Sequence, residues 1–149
     1  MSFSPEQFLE MQVNESNDTK VIPVPVGEYI ALVSEVKCRQ WQSKADPSKS
    51  GLALDVIWEV DDQAVKELLG REKVTVKQGV MLDLTDGGGL DMGKGRNVGL
   101  GRLREACDLN IPGQPFSFQM LPGRVAKINV QHRVDGDTIF AEVKAVAKL

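Results

Sequence analysis

The feature that most constrains this chain is a two-residue alternation of apolar and polar side chains that recurs five times, with one helical pattern set inside the series. Such alternation puts every second side chain on one face, which suits a half-buried strand and not a helix. Between Tyr29 and Trp41, residues Ile30, Leu32, Val36 and Cys38 fall on one face, and Tyr29, Glu35, Lys37, Arg39 and Trp41 on the other. A polar connection over Gln42–Gly51 leads to a second strand, with Leu52, Leu54, Val56, Trp58 and Val60 inward and Ala53, Asp55, Ile57 and Glu59 outward. Val74, Val76, Val80, Leu82 and Leu84 mark a third, with a bulge expected near Gly79. Val125–Arg133 supplies a fourth, with Ala126, Ile128 and Val130 inward. Ile139–Val146 supplies a fifth, with Ile139, Ala141, Val143 and Ala145 inward.

Helical signals are few. Asp61 or Asp62 can cap a short helix that Gly70 ends. A helix over Val98–Asp108 would turn Leu100, Leu103, Ala106 and Cys107 inward, and NIPGQP would stop it. Phe116–Leu121 reads as a short extended piece. Five strands without a helix after each one argue against a doubly wound sheet. A single helix between strands three and four is the element order of an OB-fold, so the expected fold is mainly β: a five-stranded Greek-key barrel of OB type.

At 149 residues the chain has the length of one domain, and 42% hydrophobic with 26% charged residues is a globular composition. Residues 1–22 form an acidic N-terminal arm, and 23–149 form the OB-fold-like domain. Residues 1–19 carry four acids and no Lys or Arg, a charge of −4, against 18 basic and 17 acidic residues beyond them. The net charge of −3 argues against a polybasic, histone-like binder. No apolar run approaches the roughly 20 residues that span a bilayer, and the first residues lack a secretory signal pattern. With only Cys38 and Cys107, no disulfide framework is expected. A soluble cytoplasmic protein with reduced thiols, without membrane partners, is the expectation.

Catalysis finds little support in these residues. The single histidine, His132, shares parity with Ala126, Ile128 and Val130 and reads as a rim residue of the core. One His and two distant Cys give no zinc-ligand spacing, so neither metal nor cofactor is expected. Gly88–Gly95 matches G-x-x-x-x-G-K, but Gly95 stands where magnesium needs a hydroxyl, and Asp91 sets a carboxylate inside the loop. A glycine-rich turn fits better than a nucleotide site, although Lys94, Arg96 and the loop amides could meet a nucleic-acid phosphate.

The outward faces are more suggestive. Lys37, Arg39 and Trp41 stand side by side on the first strand, with Lys44 and Lys49 in the loop beyond. Lys73, Thr75 and Lys77 point one way on the third strand, Lys127 and Arg133 on the fourth, and Phe140 on the fifth. Grooves for single-stranded nucleic acid combine such cations, which follow the phosphates, with aromatic faces on which bases stack. The plain alternative is the solvated exterior of any barrel. On that alternative Trp58 and Phe118 belong to the core, Trp41 caps the barrel end and Tyr29 packs under the N-terminal arm.

Over about residues 23–147 the chain resembles the phage-encoded OB-fold single-stranded-DNA-binding proteins. The resemblance runs through VPVGEYIALVSEVK, LALDVIWEV and VTVKQGVMLDL, then GLGRLREACDL, PGRVAKINVQHR and the turn VDGDT. It implies a non-catalytic, sequence-tolerant coat for single strands in phage replication or recombination, located in the host cytoplasm. Single-stranded DNA is the implied partner, with homo-oligomer contacts and replication or recombination proteins as further candidates. Many such proteins end in an acidic tail, whereas this chain ends EVKAVAKL and is acidic at its start. The competing expectation is a β-barrel assembly protein of a virus particle, with Phe3 and Phe8 of the arm reaching a neighbour.

Overall fold

Burial follows the alternation along most of the chain. A computed structural model describes residues 4–149, and its five strands are β1 (Gly27–Gln42), β2 (Ser50–Val60), β3 (Thr75–Met81), β4 (Val125–Asp135) and β5 (Thr138–Ala147). They form one mixed sheet closed by hydrogen bonds into a ring in the order β1-β2-β3-β5-β4. All neighbouring strands run antiparallel except β3 and β5, which are parallel and pair at Lys77 and Glu142. Among the described residues three α-helices accompany the sheet: α1 (Pro5–Leu9), α2 (Gln63–Leu69) and α3 (Val98–Ala106). Phe3, expected to help the arm reach a neighbour, lies outside the described residues.

Leu54, Val56, Trp58 and Val60 of β2 meet Val76 and Val80 of β3 and Ala126, Ile128 and Val130 of β4 in a single core. Trp58 is fully buried, and its Nε1 donates to Gln78 Oε1 at 2.9 Å, so the one polar group of a large core aromatic is satisfied inside. α3 lays Leu100, Leu103 and Ala106 against this core, with Cys107 just past its end, on the expected face. Burial pushes the Cys107 thiol up to about 11. Asp62 caps α2 through Val65 N at 3.1 Å, and Gly70 ends it with a left-handed φ of 68°.

Several expectations are corrected. On β1 the pairing with β2 shifts between Val33 and Glu35, which exchanges the two faces of the strand. Before the shift Ala31 and Val33 are buried and Tyr29 packs on the core, while Ile30, expected inward, is 49% exposed. After it Val36 packs on the core, but Cys38 lies beyond the core and is exposed. β3 pairs with β2 without a shift, so the bulge expected near Gly79 is absent and Lys77 keeps its outward direction. The strand also stops at Met81, short of Leu82 and Leu84. On β5 a shift opposite Asn129 and Val130 brings Val146 onto the core in place of Ala145, and Ile139 is exposed. Asp108, at φ 60°, follows the end of α3, and Phe118–Met120 is one turn of 3-10 helix, not an extended piece. No helix among the described residues is long and apolar enough to cross a membrane.

Candidate functional site

Outward-facing side chains of β1, β2 and β3 converge on one carboxylate. Asp55 stands on the outer face of β2 between the core residues Leu54 and Val56, opposite Lys37 of β1 and Gly79 of β3. Its side chain is 9% exposed, because Arg39 and Lys77 close over it. Arg39 donates through Nε at 2.9 Å and through Nη2 at 3.5 Å, and Lys77 Nζ lies 3.5 Å from the same carboxylate.

The pattern repeats on the next pair of strands. Glu142 of β5, the partner of Lys77 across the parallel pairing, takes Arg133 at 3.5 Å and Lys144 at 3.3 Å. Arg133 also lies 4.8 Å from the centroid of Phe140, its cross-strand partner, and 3.9 Å from an Asp135 carboxylate oxygen. Phe140 keeps 42% of its surface exposed. Lys37 pairs with Glu35 at 3.6 Å on its own strand. Charges of alternating sign thus run across the outer face from β1 through β2, β3 and β5 to β4.

Trp41 occupies the far end of this face on β1. Its cross-strand partner is Gly51, and the indole lies against that glycine so closely that a Cβ built there would stand 2.9 Å from Nε1 and Cζ2. Its Nε1 is sealed from solvent and has no hydrogen-bond partner among the described residues.

Beyond Trp41, the loop 43–49 is drawn together by Asp46, which accepts from Ser48 N at 3.2 Å and Ser48 Oγ at 2.6 Å, and by Lys49 N donating to Asp46 O. Lys44 and Lys49 are exposed on it. The glycine-rich connection leaves β3 at the same end, since Leu82 N donates to Leu52 O and Leu52 is paired with Gln40. Asn97 clamps that connection: its side chain accepts from Asp83 N at 2.7 Å and donates to the carbonyls of Asp83 and Asp91 at 2.8 and 2.9 Å. Asp91 turns inward to accept from Gly93 N at 2.9 Å and pairs with Arg96 at 3.7 Å. One amide and one cation of the glycine-rich loop are thus already held by the loop's own carboxylate.

The structure therefore gathers Lys37, Arg39, Lys77, Arg133 and Phe140 along one run of strands, with Trp41, Lys44 and Lys49 at its end. Lys94 and Arg96 lie on the neighbouring connection at that end. Lys127 is not brought in: its partners across β4 are Ile30 and Ala147. Lys73 stands in the segment before β3, next to the buried Val74. Lys44, Lys49, Lys73, Lys94 and Lys127 make no ion pair among the described residues.

Parity alone casts Asp55 as an outward acid; cross-strand register makes it the organiser of two cations. Its signal was an acid set between two core positions of an apolar strand. Asn97, missed as a clamp, stands immediately before the first helical residue, where such side chains favour capping. Elsewhere the rim reading of His132 fits its position, exposed and with Nε2 2.7 Å from Val24 O. Tyr29 packs on the core and donates its hydroxyl to Pro25 O at 2.7 Å, and burial together with the Asp62 charge raises its pKa.

No family model matches this chain, and no curated protein matches it.

Proposed function

We propose that this protein binds single-stranded DNA along the outer face of β1, β2, β3 and β5, without sequence preference and without catalysis. One observation carries the reading: Lys37, Arg39, Lys77, Arg133 and Phe140, scattered over more than a hundred positions of sequence, lie along one run of adjacent strands with Trp41 at its end. We read the order in which β5 crosses to sit between β3 and β4, with α3 connecting β3 to β4, as that of a Greek-key sheet of OB type. In such folds strands two and three, with the loop between strands one and two, form the usual oligonucleotide face. The reading also accords with the resemblance to phage-encoded single-stranded-DNA-binding proteins, and places the chain in replication or recombination.

Phosphates would exchange for the carboxylates that now hold Arg39, Lys77 and Arg133, while Lys44, Lys49 and Lys94 supply charge that no acid among the described residues holds. Phe140 and Trp41 supply stacking surfaces. The test is anisotropy of a labelled oligo-dT at two salt concentrations, with duplex DNA as competitor. Binding that weakens steeply with salt and resists duplex is expected. No binding at low salt, or equal displacement by duplex, overturns the reading.

The arm favours a second reading, assembly through subunit contacts, because Leu9, Val13, Val21 and Ile22 are all more than half exposed. Deletion of residues 1–22 would then abolish assembly in light scattering. On the DNA-binding reading the deletion leaves oligo-dT affinity intact or stronger, because it removes the four acids of the arm.

A further inference from the structure

We propose that Trp41 is a two-position stacking platform: its indole is stored flat against Gly51 in the free protein and turns out to stack on a base when a single strand occupies the outer face. The inference rests on the DNA-binding reading above and adds a moving part to it. Two independent observations point to storage and not to ordinary packing. Gly51 is the residue that permits the stored position, since any Cβ at 51 would stand 2.9 Å from two ring atoms and displace the ring. The stored position also leaves Nε1 shut away from water with no acceptor among the described residues, an arrangement that disfavours the group relative to the same donor in solvent.

The other tryptophan supplies the contrast. Trp58 is fully buried with Nε1 bonded to Gln78, so its position is complete. Trp41 gains apolar contact with the Gly51 backbone and loses a hydrogen bond for it. Turning the ring outward restores water to Nε1, and a stacked base then takes the place of Gly51 against the indole face. Arg39 lies two residues earlier on the same outer face, so a strand whose phosphate meets Arg39 would carry a base within reach of the turned ring. Gly51 is thus a positioning residue: it touches no ligand and acts through Trp41.

The experiment uses the full chain labelled with 5-fluorotryptophan, which gives two fluorine resonances, and Trp41→Phe assigns them. Adding oligo-dT to the wild type should move the Trp41 resonance and raise its solvent isotope shift, leaving Trp58 in place. Gly51→Ala should move the Trp41 resonance in the same direction without DNA, and bind oligo-dT about threefold to tenfold tighter, because the stored state no longer competes. An unmoved Trp41 resonance in folded Gly51→Ala overturns the proposal. So does wild-type binding, seen by anisotropy, that leaves the Trp41 resonance at its free position; that outcome spares the DNA-binding reading. Absence of binding by anisotropy overturns both. If Gly51→Ala fails to fold, the wild-type titration decides alone.

Discussion

The inner and outer faces of the same sheet hold their buried polar groups in opposite ways. Inside, Trp58 and Gln78 make one bond between one donor and one acceptor, and neither has a substitute within the apolar core. Outside, Asp55 is almost as buried, yet it is held by two cations that are themselves about half exposed. Glu142 is likewise shared by Arg133 and Lys144. The difference is one of redundancy. Removing Gln78 leaves the fully buried Trp58 donor without its acceptor. An outer cation can leave for a phosphate while the second cation stays with the acid. A face built this way can exchange partners without creating an unpaired buried charge.

That contrast can be broken by experiment. The largest stability effect is expected from Gln78→Leu, which strands the Trp58 donor and should cost about 1–3 kcal/mol in urea unfolding. Phe140→Ala should weaken oligo-dT binding by about 1–3 kcal/mol if one base stacks there. A smaller, pH-dependent effect belongs to the interior. Cys107, raised by burial to about 11, and Tyr29, raised by burial and by Asp62, both hold their protons more firmly when folded. The Cys107 contribution is complete at neutral pH and is lost as pH climbs from the unfolded thiol value toward about 11, while that of Tyr29 is lost only from the ordinary tyrosine range upward, so urea midpoints should fall over the thiol window and Cys107→Ala should flatten the fall. Arg39→Met should cost less than about 1 kcal/mol of stability, because Lys77 remains on Asp55. The same change should flatten the slope of log affinity against log salt by about 0.7 for a single strand. A stability loss as large as that of Gln78→Leu would show that the outer face is not redundant. The smallest effect is expected from Lys127→Met, which should leave oligo-dT affinity unchanged.

How far the fold was legible depended on whether a strand had one apolar parity or two. In β2 the large apolar residues of the core face, Leu54, Val56, Trp58 and Val60, keep one parity, and the alternation fixed its core face without ambiguity. In the first half of β1 both parities are apolar, Ile30 and Leu32 against Ala31 and Val33, so the bulky pair suggested the wrong face. The pairing shift before Glu35 then restored the expected direction for Lys37 and Arg39. The same ambiguity at Val143, Ala145 and Val146 hid the shift on β5. The candidate residues were legible as outward-facing because charge excluded them from the core. Which of them meet was not, because parity chooses a face of one strand and register chooses its neighbours. Hence the grouping of Arg39 with Lys77 through Asp55, and the exclusion of Lys127, appeared only with the paired strands.

β1 and β2 share a long ladder, as do β4 and β5, but β3 meets β5 at Lys77 and Glu142 alone. The sheet is a belt with a single buckle, and the buckle lies under the charged row that would carry a bound strand. Amide exchange should be fastest along this seam, where the fewest backbone bonds must break. Loosening it would let the girth of the belt adjust to its load while the stitched hairpins on either side keep their shape.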